Sequence, residues 1–114
     1  MGGDESCNTS IINNKILNGR CEGIFMIDCG KALITRNTIK DNYYGIMVIT
    51  SIPIIENNEI IENKHHGILL LKKSRAVLTK NIIKENKGVG VFVRDHSCTL
   101  MTGCTIAENH LGFV

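Results

Sequence analysis

The sequence is poor in the features by which many functional classes are recognised. It has no tryptophan, two tyrosines, three phenylalanines and a single proline among 114 residues. Its formal charge of +2 is close to neutral, so it lacks the concentrated positive charge of a nucleic-acid-binding domain. No apolar run approaches the length of about 18 residues that a membrane-spanning helix needs. We therefore expect the protein to bind no nucleic acid and to cross no membrane.

The cysteines offer no metal-binding pattern. There are five, unevenly spaced, and no two of them form the Cys-x-x-Cys pair that is typical of a zinc site. The chain opens on the polar and acidic residues Met-Gly-Gly-Asp-Glu-Ser, which predicts the absence of a secretory signal. Free thiols in a protein that is not secreted are typical of a reducing compartment. We expect a cytoplasmic location, with the nucleus as a second compartment, and neither a metal nor another cofactor.

The strongest feature present is a repeat of 22–23 residues. The unit reads Asn-x-Ile-x-x-Asn, a few polar residues, and then Gly followed by an apolar run, most clearly in residues 58–71. A fixed period between about 20 and 50 residues is typical of a repeat architecture. The glycine of the unit recurs in steps of 22, 22, 23 and 22 residues, at Gly23, Gly45, Gly67, Gly90 and Gly112.

Each period has room for three short strands and for no helix. Its apolar stretches are three to five residues long and are separated by Asn, Gly, Lys and Ser, which is typical of strands and turns. A leucine-rich repeat would need a helical segment, and a propeller blade would need about 40 residues. The sequence therefore predicts an all-β fold, a right-handed single-stranded parallel β-helix of about five coils. We place the repeats at residues 9–114 and a lead-in at residues 1–8.

Alternation within each strand predicts columns of like aliphatic side chains that point inward. Stacked coils repeat at the inter-strand spacing of about 4.8 Å, so that each column becomes a ladder. The inward columns of the first strand are Ile24, Ile46, Ile68, Val91, Phe113 and Met26, Val48, Leu70, Val93; those of the second are Ile11, Ile34, Ile55, Leu78, Met101 and Ala32, Pro53, Ala76, Thr99; that of the third is Ile16, Ile39, Ile60, Ile83, Ile106.

Two columns of asparagine are predicted to have a structural role at the turns. Asparagine tolerates left-handed backbone angles, and its amide bonds to local backbone at sharp turns. Stacked asparagines also hydrogen-bond to one another from layer to layer. One column is Asn14, Asn37, Asn58, Asn81 with Cys104, and the other is Gly19 with Asn42, Asn63, Asn86, Asn109.

No group of residues predicts catalysis. Asp28, Glu56 and Asp95 lie on or beside strands without the close pairing that a glycosidase requires, since Asp28 and Asp95 are three coils, or about 14 Å, apart. The acidic column that contains Glu62 and Glu85 alternates with lysines, which is typical of a solvated turn. Neighbours on a strand face opposite ways, so His65 and His66 are interpreted as surface turn residues. The segment Arg94-Asp95-His96-Ser97 is interpreted as a turn. We expect no enzyme.

The outward side of the first strand predicts a protein interface. In a soluble β-helix this side should be polar, as the second strand is at Thr35, Glu56, Thr79 and Thr102. Stacked apolar residues would instead form a patch of several hundred Å², the size that usually marks an interaction surface. Either a protein partner or another part of the full-length chain would cover it. The seven predicted interface residues are Phe25, Ile27, Met47, Ile49, Leu69, Leu71 and Phe92.

Both ends of the predicted solenoid are open. Solenoids usually carry polar caps on their terminal coils, and strand edges without a cap pair readily with other chains. The last residues, Gly112-Phe113-Val114, stop inside what should be the next strand. We therefore expect a fragment of a longer solenoid, or self-association through the open ends.

The repeat pattern resembles that of the CASH-type domains, which are parallel β-helices found in carbohydrate-binding proteins and sugar hydrolases. Asn14-Lys-Ile-Leu-Asn-Gly19 and Pro53-Ile-Ile-Glu-Asn-Asn58 are similar to repeats of eukaryotic β-helix F-box-only proteins, and Shc-SH2-binding proteins carry similar repeats. This resemblance implies a non-enzymatic protein-interaction module, the substrate-recognition part of an F-box-type ubiquitin-ligase adaptor, although no F-box is present. The alternatives are a carbohydrate-binding or polysaccharide-processing β-helix whose site lies in other coils, and a structural spacer.

Overall fold

A computed structural model describes residues 8–114, in which the chain winds through five coils of three short strands each. Of the predicted lead-in, residues 1–7, which include Cys7, lie outside the described residues, and Asn8 begins the first strand. Sheet A contains β1 (Asn8–Ile12), β4 (Lys31–Thr35), β7 (Pro53–Glu56), β10 (Arg75–Thr79) and β13 (Cys98–Thr102); sheet B contains β2 (Lys15–Leu17), β5 (Thr38–Lys40), β8 (Glu59–Ile61), β11 (Ile82–Lys84) and β14 (Thr105–Ala107); sheet C contains β3 (Glu22–Ile27), β6 (Tyr44–Ile49), β9 (Ile68–Leu71), β12 (Val89–Val93) and β15 (Leu111–Phe113).

Every strand pairs in parallel with the strand of the same sheet in the next coil. The register aligns equivalent repeat positions, as in Ile39 with Ile60 and Ile60 with Ile83. A parallel pair of this kind needs a crossover, and here the crossover consists of the other two strands of the coil. The predicted all-β parallel solenoid of about five coils is confirmed, and the described residues contain no helix.

The core consists of the predicted inward columns. Ile34, Ile39, Ile46, Ile55 and Ile60 are completely inaccessible to solvent, because each lies between like side chains of the coils before and after it. In the fifth coil the same columns are less covered, and Phe113 is 54% exposed. Branched aliphatic side chains fit this arrangement because they pack well on a pleated surface and have few rotamers to lose.

A residue with left-handed backbone angles lies at each corner of the coil, and it is not the residue that we predicted. The ladder asparagines do not adopt positive φ; the residue before each of them does, so this part of the prediction is wrong. The turn therefore forms one position earlier, and the asparagine side chain points into the coil. The left-handed residues are Asn13, Arg36, Asn57, Lys80 and Gly103 between sheets A and B; Asn18, Asp41, Glu62, Glu85 and Glu108 between sheets B and C; and Asp28, Thr50, Lys72, Lys73, Asp95 and His96 between sheets C and A.

The predicted asparagine ladders are confirmed. In the A–B corner, the Asn58 Oδ1 accepts hydrogen bonds from the backbone N–H and the side-chain amide of Asn37, at 2.9 and 3.0 Å. The Asn58 Nδ2 donates to the Ile34 carbonyl and to the Asn81 Oδ1, at 2.9 and 3.0 Å. The ladder in the B–C corner repeats this pattern from Asn63 to Asn86. These amides are buried at almost no cost, since all their polar atoms are paired.

A third ladder, which the sequence analysis missed, occupies the C–A corner. The backbone N–H groups of Cys29, Ser51 and Ser74 donate in turn to the hydroxyl oxygens of Ser51, Ser74 and Ser97, at 2.8, 3.2 and 2.9 Å. Ser51 and Ser74 are buried. The signal was present, because positions 29, 51, 74 and 97 repeat in steps of 22, 23 and 23. Each corner of the coil therefore has its own column of buried polar side chains.

The repeated glycines permit close approach between coils. A Cβ atom at Gly45 would lie 2.3 Å from the Gly67 carbonyl oxygen, and one at Gly67 would lie 2.6 Å from the Gly90 carbonyl oxygen. None of these glycines has a positive φ, so their role is to lack a side chain. This contact explains why glycine is the residue that marks the period.

Candidate functional site

The seven predicted interface residues lie together on the outward side of sheet C. One column joins Phe25 to Met47, Leu69 and Phe92 in register, and the next joins Ile27 to Ile49 and Leu71. The two columns are neighbours because they are two residues apart along the same strands. We call this set of seven side chains the apolar face.

Exposure varies strongly across the apolar face. Phe25 and Ile27, in the first coil, are each 53% exposed, and Met47, Ile49, Leu71 and Phe92 are partly exposed. Leu69 is 7% exposed although it points outward, because it lies between the long side chains of Met47 and Phe92 at the spacing of adjacent strands. The apolar face is therefore most accessible in the first coil, and Leu69 is a buried residue at its centre.

An aromatic and histidine cluster borders the apolar face at the start of the strands. The Tyr43 ring lies 4.2 Å from the His65 ring and 4.9 Å from the Tyr44 ring, measured between centroids. The His66 ring stacks on Tyr44 at 5.7 Å and meets Phe92 edge-on at 4.8 Å. We call Tyr43, Tyr44, His65 and His66 the aromatic border. The two tyrosines escaped the sequence analysis because they occur in a single coil and break the repeat pattern instead of following it.

The two histidines have different environments. His65 is exposed, as predicted for a turn residue, whereas His66 is half-buried and its Nδ1 accepts a hydrogen bond of 2.9 Å from the Val89 N–H. Burial and the neighbouring His65 lower the pKa of His66 below its usual value. Burial, Tyr43 and Glu22 raise the pKa of Tyr44. At the far end of the face, the Arg94 guanidinium lies 5.5 Å from the Phe92 ring centroid, within cation–π range.

Several acidic residues line a solvated groove at the B–C corner. The left-handed residues Asp41, Glu62 and Glu85 border a groove of about 410 Å³, with Lys40 and Lys87 in its lining. Lys40 and Glu62 form an ion pair at 3.2 Å, and both side chains are 47% exposed, so the pair contributes little to stability. Among residues 8–114 no group of three or more histidine, cysteine or acidic side chains is arranged to hold a metal ion.

The cysteines take no part in this surface. Cys21 and Cys98 are exposed free thiols, and Cys104 is a half-buried free thiol at the end of an asparagine ladder, 3.7 Å from the Asn81 Nδ2. Cys29 is buried. None of these side chains contributes to the apolar face or to the aromatic border.

A second apolar column lies on the outward side of sheet A. The prediction that this side is polar is wrong for one of its columns, in which Leu33, Ile54, Val77 and Leu100 align in register. Ile54 is 45% exposed and Leu100 is 65% exposed. The column could have been found by reading two positions before Thr35, Glu56, Thr79 and Thr102, and it provides a control surface for experiments on sheet C.

Comparison with known proteins identifies the fold family. The part of the chain that the structure describes contains no helix that could cross a membrane. No curated protein and no solved structure gives a significant match. The family model described as the right-handed β-helix region matches residues 4–114, nearly the entire sequence. Together with the parallel three-sheet solenoid, this match shows that the chain belongs to the right-handed β-helix family.

Proposed function

We propose that this β-helix is a non-enzymatic protein-interaction module that presents the apolar face of sheet C to a protein partner. The observation that carries the proposal is the pair of aligned outward columns, in which Phe25 and Ile27 are more than half exposed in a strand whose outward side should be polar. Burying such side chains at an interface contributes roughly 25 cal/mol for each Å² of apolar surface removed from water.

The size of the apolar face favours a compact contact. A standard protein interface buries about 800 Å² on each partner. Of the seven side chains, two are half exposed, four are partly exposed and Leu69 is buried, so the face alone exposes less than that area. The aromatic border extends it with Tyr43, which is 40% exposed, and aromatic residues are enriched at interfaces. We therefore propose a partner that binds through one short segment or through a transient contact.

The resemblance of the repeats to those of F-box-only proteins supports a more specific proposal. In this proposal the module is the substrate-recognition part of an F-box-type ubiquitin-ligase adaptor in the cytoplasm or nucleus, and the partner is a substrate of the ligase. The F-box would have to come from a chain segment outside this sequence. A carbohydrate-binding or polysaccharide-processing function, with its site in other coils, stays the alternative prediction.

A matched pair of variants tests the proposal. Ile27→Lys places a charge on the apolar face, and Ile54→Lys makes the same change on sheet A at a side chain of similar exposure, 45% against 53%. Proteins captured by the wild type would be identified, purified and titrated calorimetrically against all three chains at pH 7.5. We expect Ile27→Lys to weaken the binding of a true partner at least about tenfold, the effect of losing one anchor residue, and Ile54→Lys to leave it unchanged.

Two outcomes would contradict the proposal. If both variants weaken binding equally, the contact is not specific to sheet C. If no captured protein depends on Ile27 and Phe25→Glu also has no effect, the apolar face binds no partner. Circular dichroism would verify in each case that the β-structure is intact.

A further inference from the structure

We propose that the hydrogen bond from Val89 to His66 makes the edge of the apolar face sensitive to acid. Protonation of His66 would break this bond and release the contacts through which the His66 ring holds Phe92. The consequence for partner binding rests on the proposed function, whereas the opening of the bond does not and can be measured on the protein alone.

The geometry requires the neutral imidazole. The His66 Nδ1 accepts the Val89 N–H at 2.9 Å, so Nδ1 carries no proton and the ring proton lies on Nε2. In the imidazolium form both ring nitrogens are donors, and two N–H groups would face each other at this distance. Val89 is 7% exposed, so its N–H would find water only if the ring or the strand moved.

Movement of the His66 ring would directly change the packing of the apolar face. The His66 ring lies between Tyr44 in the preceding coil and Phe92 in the following coil, at 5.7 and 4.8 Å. Phe92 has an apolar neighbour, Leu69, on one side and the Arg94 guanidinium over its ring. Loss of the His66 contact therefore frees one side of an interface residue.

Among residues 8–114, no acidic side chain forms an ion pair with His66. The imidazolium would form no ion pair within the part of the chain that the structure describes, because the ion pair found there joins Lys40 to Glu62. On its own turn the neighbour is His65, and on the strand of the preceding coil it is Tyr44. The remaining charged or titratable groups near the aromatic border are Tyr43, Glu22 beside Tyr44, Arg94 over Phe92, Lys64 and Lys87 on the adjoining turns, and His110 below Gly88.

Gly88 lies so close to the His66 ring that there is no room for a side chain between them. A Cβ atom at Gly88 would lie 2.6 Å from the His66 Nδ1 and 2.9 Å from the His65 carbonyl carbon. Any side chain at this position would displace the imidazole from Val89. Gly88→Ala is therefore expected to produce at neutral pH the same opening that acid produces in the wild type.

The direction of the pH effect follows from linkage. Burial and His65 hold the pKa of His66 below the value of about 6.5 that the unfolded chain would have. As the pH falls below that value, the unfolded or opened chain binds a proton before the closed chain does. The stability that the bond contributes is thus complete above pH ~6.5 and is lost progressively as the pH falls towards the folded-state pKa.

Amide hydrogen exchange of Val89, measured by NMR and corrected for the intrinsic exchange rate, tests the inference. We expect the protection factor of Val89 to fall about tenfold between pH ~7.5 and pH ~5, the equivalent of one hydrogen bond. The Ile46 amide, which donates to the Gly67 carbonyl in the same sheet, should keep its protection. Gly88→Ala should lower the protection of Val89 already at the higher pH.

Two variants separate His66 from its neighbour. His66→Gln offers a carbonyl acceptor that does not titrate, so Val89 protection should become independent of pH. His65→Gln should retain a fall in protection that is somewhat smaller than in the wild type, because His65 contributes to the lowered pKa of His66. Protection that stays constant in the wild type, or that still falls in His66→Gln, would overturn the inference. So would an imidazole NMR titration showing a proton on Nδ1 or a pKa of His66 above its ordinary value. None of these measurements depends on a partner, so their failure would leave the proposed function to its own test.

Discussion

The corners of the coil provide hydrogen-bond acceptors for buried backbone N–H groups in two different ways. Two corners are lined by asparagines, whose side chains bond to the next coil, to the preceding coil and to backbone, as Asn58 does with four hydrogen bonds. The third is lined by serines, and Ser74 accepts one bond from Ser51 and donates its single proton towards the carbonyls of Leu71 and Val48. The comparison teaches that each corner needs a buried acceptor for the N–H group of the preceding coil. The asparagine amide adds a side-chain hydrogen bond to the next coil, which the serine hydroxyl does not make.

Loss of an asparagine rung should have the largest effect. Asn58→Ala removes four hydrogen bonds and leaves the backbone N–H and one side-chain N–H of the buried Asn37 without an acceptor. We expect the free energy of unfolding to fall by about 3–5 kcal/mol, the sum of the penalties for the unpaired groups. Urea denaturation followed by circular dichroism measures it. Asn14→Ala, at the exposed end of the same ladder, should cost less than about 1 kcal/mol, and an equal loss in both variants would contradict the account.

Loss of a serine rung should have a smaller effect. Ser74→Ala leaves the Ser51 N–H without its acceptor, but it removes no hydrogen bond between side chains of adjacent coils. We expect a loss of about 1–2 kcal/mol under the same denaturation conditions. If Ser74→Ala lowered the free energy of unfolding as much as Asn58→Ala, the two kinds of corner would not differ in their contribution to stability.

Relief of backbone strain at a corner should have the smallest effect and the opposite sign. Glu85 has φ of 57° in the B–C corner, a conformation that costs residues other than glycine roughly 1 kcal/mol or more. Glu85→Gly should therefore stabilise the protein by at most about 1 kcal/mol, since glycine also increases the entropy of the unfolded chain. Glu59→Gly, the same change within β8, should destabilise it by a similar amount. Stabilisation by both changes would show that the corner is not strained.

The sequence predicted the fold well because the physical signals of a solenoid are periodic. The glycine spacing and the inward isoleucines, such as Ile39 and Ile60, carry the same information five times over, so single exceptions do not obscure it. The asparagine columns were predicted for the same reason. The left-handed residues were not, because Glu62, Lys80 and Arg36 have no intrinsic preference for that conformation and adopt it under the constraint of the stacked coils.

The candidate site was less predictable, since its contacts depend on side chains that differ from one repeat to the next. The positions of the seven face residues follow from alternation, but the burial of Leu69 depends on the lengths of the Met47 and Phe92 side chains in adjacent coils. The bond between His66 and Val89 depends on the absence of a side chain at Gly88, in another coil. Such contacts join residues 22 or 23 positions apart, and a single repeat read by itself does not contain them.

The asparagine ladders also give the solenoid an electrical direction. From the second coil onward, the ladder carbonyls are turned towards the preceding coil: the Asn58 Oδ1 accepts from Asn37, the Asn63 Oδ1 from Asn42, and the Asn109 Oδ1 from Asn86. Aligned amide dipoles add, as they do along a helix, and neighbouring hydrogen bonds polarise one another. Two parallel rows of side-chain dipoles therefore run through the buried corners, with their carbonyl ends towards the first coil.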